Sequence, residues 1–157
     1  MIGRVVLAIS LVLACATPST ARQTTKDPLT LANEGATALD ERRFDDALTA
    51  FTAAAAGLPD DANIALGAGL AAYMLARTAD AETWLARALK LQPTLTQASI
   101  VLGELQHRSG RLEDAIATYE AALKLAAKAD TGQLEDRLAA WRKEQQLVGR
   151  FSKSQGT

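Results

Sequence analysis

The chain of 157 residues is short of most groups that carry chemistry. It holds one cysteine and one histidine. One thiol makes no internal disulfide, and one thiol with one imidazole does not complete a four-ligand zinc site. It has no excess of one charge: 17 Lys and Arg stand against 18 Asp and Glu, a formal net charge of −1. A binder of phosphate backbones shows a basic excess or stripe, so nucleic acid is not an expected partner. Aromatic residues make up 4% and β-branched residues are sparse, too few for a sheet protein of this length. With 4 Pro and 10 Gly the chain is neither collagenous nor a low-complexity linker. Alanine is what remains, at 33 residues. It has the best helix propensity and lets backbones approach closely. The expectation is one all-α domain with small-residue packing.

An apolar run lies at the start. Arg4 precedes Val5–Ala14, ten apolar or small residues, and Thr17 to Ala21 are small or helix-breaking. A charged start, a short apolar stretch and a small-residue exit read as an export signal. Ten helical residues cover about 15 Å, half of a hydrocarbon core of about 30 Å, so a permanent membrane span is the weaker reading. Two exits compete. Ser19-Thr20-Ala21 has the small residues a signal peptidase needs, which makes residues 1–21 the signal and 22–27 a linker. Val12-Leu13-Ala14-Cys15 resembles a bacterial lipobox, which makes 1–14 the signal and Cys15 the lipidated first residue. Either exit takes the mature chain out of the cytosol, to the periplasm or the outer membrane of a bacterium, with secretion as the alternative. The membrane enters only through an anchor at Cys15.

The remainder aligns with itself at a shift of 34 residues. Gly35, Gly69 and Gly103 fall in one column. Asp46, Asp80 and Asp114 form another, as do Ala47, Ala81 and Ala115, and Ala54, Ala88 and Ala122. Phe51, Leu85 and Tyr119 make a large apolar column, and Pro59 aligns with Pro93. Alanine coincidences are cheap in this composition, whereas a glycine triplet and a proline pair are not. The frame is 28–61, 62–95 and 96–129, without a gap.

Each copy reads as two helices with a short turn. In the first copy the apolar period runs from about Leu29 to Arg42 and again from about Asp45 to Gly57. Asp60 and Asp61 are cap-type residues before the next helix. Gly110 sits in the third inter-helix turn, where a left-handed residue is commonly needed. Pro59 and Pro93 stop the second helices, having no N–H and crowding the preceding turn. The glycines are expected where the first helix lies against the second, with Ala47, Ala81 and Ala115 facing them. One such pair buries too little by itself, so the pairs must stack.

This pattern resembles the tetratricopeptide repeat, and most closely in Leu102-Gly103, Gly110-Arg111-Leu112-Glu113-Asp114-Ala115-Ile116, Tyr119 and Ala122-Leu123. The resemblance spans residues 28–129. It departs at Leu31, Ala65 and Ser99, where the family has an aromatic, and at Glu34, where it has Leu. It implies a right-handed superhelix of three helix-turn-helix repeats. Residues 130–148 then form a capping helix, begun by Asp130 with Gln133 and carrying Leu134, Leu138, Trp141 and Val148 on one stripe. Residues 149–157 are left as a tail, of which the polar Phe151–Thr157 is expected to fray.

Other motifs have plainer readings. Gly67-Ala68-Gly69-Leu70-Ala71-Ala72 spells a dinucleotide fingerprint, but no strand precedes it and the glycines fall inside a helix. Ile64–Ala76 carries no charge over thirteen residues, too short for a span and suited to a central helix. His107, with Glu104 one turn back, has no nucleophile placed beside it by any motif, so no enzyme, cofactor or metal is expected. The alternating charges at 40–46 and 111–114 belong to a solvated face.

The resemblance also implies a concave surface lined by the first helix of each repeat. Its contact columns fall on Leu29, Ala32, Ala36, Leu39 and Asp40, then on Asn63, Leu66, Leu70, Tyr73 and Met74. The third copy supplies Gln97, Ile100, Glu104, His107 and Arg108. Family members that clamp acidic chaperone tails need Lys and Asn where this chain has Ala32 and Ala36. Gly67, Gln97 and Val101 replace the other clamp residues. The expected binding groove is therefore Leu66, Leu70, Tyr73, Met74 and Ile100, with Glu104, His107 and Arg108 as its polar end. Apolar grooves with Met and aromatics suit an amphipathic helix or an extended peptide. The expected function is a non-catalytic adaptor of the cell envelope that binds a protein or peptide. The alternative is a self-assembling structural protein whose groove is a homo-oligomer interface.

Overall fold

The structure is a computed structural model that describes residues 26–125 and 131–154. Both signal exits, Cys15 and Asp130 lie outside the described residues. Seven helices follow one another: α1 Pro28–Asp40, α2 Phe44–Gly57, α3 Ala62–Met74, α4 Thr78–Leu91, α5 Thr96–Arg108, α6 Leu112–Leu125 and α7 Gly132–Ser154. Helix α7 runs on to Ser154, past the boundary at 148 expected from the sequence.

Local chemistry sets the helix ends. The Asp27 carboxylate accepts from the Thr30 N–H at 3.2 Å, and Pro28 opens α1 where its missing N–H does no harm. Asp61 accepts from Asn63 N and Ile64 N at 2.8 and 3.2 Å and opens α3. One repeat later the same column is Leu95, and α5 starts without a side-chain cap.

The turns inside the repeats are copies of one another. Arg42, Ala76 and Gly110 stand 34 residues apart and take φ of 61°, 56° and 77°. In each, the next residue donates back to a carbonyl five residues earlier: Arg43 to Ala38 at 2.8 Å, Arg77 to Ala72 at 2.9 Å, Arg111 to Gln106 at 2.9 Å. This double-bonded helix ending needs a left-handed residue. Only the third copy supplies glycine, so two turns hold a non-glycine residue in a costly conformation.

Within each repeat the glycine column makes room for the large column, not for the alanines expected opposite it. A Cβ on Gly35 would lie 3.0 Å from the Phe51 ring, and one on Gly69 would lie 2.8 Å from Leu85 Cγ. A Cβ on Gly103 would overlap the Tyr119 ring. Ala47, Ala81 and Ala115 are fully buried on the same helices but are not what the glycines face. The reason is geometric: one large side chain projecting from the second helix reaches the first helix before a methyl does.

Phe51 also reaches forward. A Cβ on Gly67 of α3 would overlap its ring, so Phe51 sits between Gly35 and Gly67. Sequence alone gives Gly67 no such role. In the next copy the large residue is the smaller Leu85, and Val101 stands in the place of Gly67 and packs on the same core.

The repeats then stack. Helices α1, α3 and α5 touch in series, whereas α2, α4 and α6 have no comparable contact with each other. A stack whose first helices lie closer together curves toward them. On the outer side an arginine column ties the second helices. Arg77 bonds Asp45 of the preceding repeat at 3.1 Å, and Arg111 bonds Glu82. Arg43, in the same column of the first repeat, pairs with Glu41 and Asp46 of its own repeat.

Candidate functional site

The inner layer of α1, α3 and α5 carries the residues singled out by sequence, and the structure divides them. On α3, Leu66 and Tyr73 are half-buried and pack against the core, Leu70 is half-buried, and Met74 is 48% exposed. The apolar α3 strip is thus a partly open surface anchored in the repeat core. Leu29, at the start of α1, is exposed as well.

On α5 the expected polar end meets α7. His107 Nε2 lies 2.9 Å from Glu144 Oε2, and the imidazole stacks on the Trp141 indole with centroids 4.9 Å apart. Glu104 pairs with Arg137 at 3.2 Å. Ile100 packs with the buried cluster that α6 and α7 form around Tyr119, Leu134, Leu138 and Trp141. Trp141 is 3% exposed and its ring sits 4.5 Å from that of Tyr119. Helix α7 therefore stands beside the third repeat and takes up Ile100, Glu104 and His107. Sequence reasoning missed these partners, since Arg137 and Glu144 look like ordinary solvent-facing charges on an amphipathic helix.

Tyr119 shows how dry this end is. Its hydroxyl donates to the Ile100 carbonyl at 3.2 Å. Burial pushes the phenol well above its usual range, and the negative charge of Glu104 adds to the shift.

Arg108, the last residue of the expected groove, does not join α7. It lines a cavity of about 160 Å³ with Tyr73, Ala76, Thr78, Leu105 and Ser109. Tyr73 and Arg108 are therefore the two groove residues from different repeats that the structure brings to one cavity. Among the described residues no group of three or more His, Cys, Asp or Glu is arranged to hold a metal ion. No helix among them is long and apolar enough to cross a membrane.

Paired helices in tandem, stacked so that their first helices line one face and followed by a final helix, define a helical repeat solenoid. The family model described as tetratricopeptide repeat matches residues 33–95 and 96–130. That is more than half of the chain, and the chain belongs to the tetratricopeptide repeat family. Domains of this family are typically non-catalytic interaction modules.

Solved structures share the fold at low identity. The first tetratricopeptide domain of Spaghetti (RPAP3), bound to the HSP90 peptide SRMEEVD, is 21% identical with a TM-score of 0.66. The match covers 76% of this chain and 96% of that one. The Arabidopsis OM64 domain is 18% identical with a TM-score of 0.68, covering 76% and 98%. The Yersinia enterocolitica type III secretion translocator chaperone SycD is 16% identical with a TM-score of 0.70, covering 75% and 85%. No curated protein sequence matches the chain.

Proposed function

We propose that this chain is an exported, non-catalytic adaptor that binds a peptide or helix of a partner protein on the face made by α1 and α3. The observation that carries the reading is the apolar strip Leu66, Leu70, Tyr73 and Met74, half-buried to exposed, on the central helix of a family whose domains bind other proteins. Two solved relatives of the fold hold chaperone segments: the Spaghetti domain with its HSP90 peptide, and a yeast Sti1 domain in an Hsp70 complex. A chaperone-tail ligand of that kind does not suit this chain, because Ala32, Ala36, Gly67, Gln97 and Val101 stand at the clamp places. An apolar segment suits it better.

Helix α7 narrows the surface. With Ile100, Glu104 and His107 engaged by α7, a partner lying on the inner face meets α1, α3 and Arg108. Export follows from the N-terminal run and either exit, and Cys15 decides between an anchored and a soluble chain. N-terminal sequencing checks this: a start at Arg22 means a soluble protein, a blocked lipidated Cys15 an anchored one, and a retained Met1 in the cytosol removes the export reading.

Photo-cross-linking tests the groove. A benzophenone side chain at Leu70 should trap a second protein in envelope preparations, while the same group at the exposed Ala140 of α7 should not. Trapping only of a second copy would select the self-assembly alternative. Equal trapping at both positions would remove the groove reading.

A further inference from the structure

The cavity at the rim of the inner face has an unbalanced lining. Its residues with polar side chains are Arg108, Thr78 and Ser109, all exposed, and the half-buried Tyr73. No carboxylate lines it. Leu105 and Ala76 make the rest of the wall. A guanidinium offers only donors, and hydroxyls can turn to donate, so this lining favours an oxygen-rich anion.

The imbalance has a cause elsewhere in the fold. Glu104 stands four residues before Arg108 on α5, the arrangement in which a helical Glu ordinarily pairs with a following cation. Here Arg137 of α7 takes Glu104 at 3.2 Å, and Glu144 of α7 takes His107. Arg108 has no ion-pair partner among the described residues. The acid in the first turn of α4, Asp80, faces the opposite side, where it lines an outer groove with Asp45 and Arg77. Helix α4 starts at Thr78 behind Arg77, whose side chain does not cap it.

We infer that this cavity is a carboxylate site and that it reads an acidic group on an apolar peptide lying along the α3 strip. The assignment rests on the groove reading above, since Tyr73 belongs to both. In it Arg108 pairs with the carboxylate, Thr78 and Ser109 donate to its oxygens, and Tyr73 supports the neighbouring apolar side chain. None of these residues falls on a clamp column; the site lies at the turn end of α3 and α5. The carboxylate has two sources, a peptide C-terminus or an Asp or Glu side chain.

The test is an amide-shift titration of the full chain with three small probes. N-acetyl-leucine carries a terminal carboxylate, N-acetyl-leucinamide carries none, and N-acetyl-aspartic acid α-amide carries a side-chain carboxylate. The expected result is saturable shifts of the Thr78 and Ser109 amides and of Arg108 Nε with at least one acid and none with leucinamide. The stronger acid identifies the source. Arg108→Gln should weaken the effective probe by roughly tenfold or more, while Arg87→Gln, on the outer side, should leave it unchanged. Shifts as large with leucinamide, no shift with either acid, or equal loss in both variants would overturn the site. Inorganic phosphate binding as tightly as the acids would overturn its carboxylate selectivity. Failure here with partner trapping at Leu70 retained would remove the site and leave the groove; carboxylate binding without trapping would do the reverse.

Discussion

Phe51 and Tyr119 occupy the same column in the first and third repeats and end in different surroundings. Phe51 is held between two glycines, Gly35 of its own repeat and Gly67 of the next. Tyr119 has Gly103 on one side and the Trp141 indole on the other. The first two repeats are closed by shape, with alanines and glycines fitted around one large residue and hardly any charge on α3. The third is closed by aromatic rings, a phenol–carbonyl bond and ion pairs reaching from α7. An inner repeat is covered by its successor, whose surface is set by the repeat pattern. The last repeat has no successor, so its cover must be apolar on one face and hydrated on the other. Among the described residues, that cover leaves α1, α3 and Arg108 as the part of the inner face that α7 does not take up.

The largest expected effect is at the cover. Trp141→Ala removes a nearly fully buried indole, a change of about 3–5 kcal/mol for this class of substitution. Hydrogen exchange should show protection lost across α5, α6 and α7 and largely kept in α1, α2 and α3. Uniform loss would mean that the two ends do not differ in how they are held.

Next comes the fit around Phe51. Gly67→Ala puts a methyl into the ring and should destabilise by about 1–3 kcal/mol in denaturant melts. Adding Phe51→Leu should recover part of that loss relative to the two single changes added together, because the pair would then resemble Leu85 and Val101. Strict additivity would show that the ring and Gly67 are not coupled.

A smaller effect is expected at the turns. Ala76→Gly relieves a positive φ of 56° and should stabilise by about 1 kcal/mol, the same order as the left-handed penalty. Gly110→Ala, at φ 77°, should destabilise by a similar amount. A melt that moves the other way at Ala76 would show that its turn is not strained.

The repeat architecture was legible because its columns use residues that composition does not scatter at random, the Gly35, Gly69 and Gly103 triplet above all. The fold class followed, with its three helix pairs and final helix. The packing partner of those glycines was not legible, since reach depends on how far Phe51 extends and sequence spacing alone favoured the nearer Ala47. Gly67 was hidden because its partner lies in another repeat; the one signal was a volume exchange, Phe51 with Gly67 against Leu85 with Val101. On the inner face, Leu66 and Tyr73 lay in the expected columns, but their partial burial in the core was not visible. The pairing of Glu104 and His107 with α7 was hidden for a different reason. Their partners, Arg137 and Glu144, stand 33 and 37 residues away on a helix whose charges alternate in an ordinary way.

A further effect is confined to alkaline pH. The Tyr119 phenol is raised by burial in the fold, so its contribution is fully present below the unfolded value of about 10 and is lost as pH rises above it. Stability of the parent chain should therefore fall more steeply above pH ~10 than that of Tyr119→Phe. The variant itself gives up one hydrogen bond, worth about 1 kcal/mol at neutral pH. Parallel curves would place Tyr119 in contact with water.

The open inner face is the central claim, and Leu70→Gln with Met74→Gln tests it most directly. Both side chains lie on α3 outside the fully buried core, so the melting midpoint of the double variant should stay within a few degrees of the parent. Quantitative pull-down of the protein trapped at Leu70 should fall at least tenfold, while the mass in light scattering stays that of the parent. Undiminished capture by a folded double variant would contradict the account.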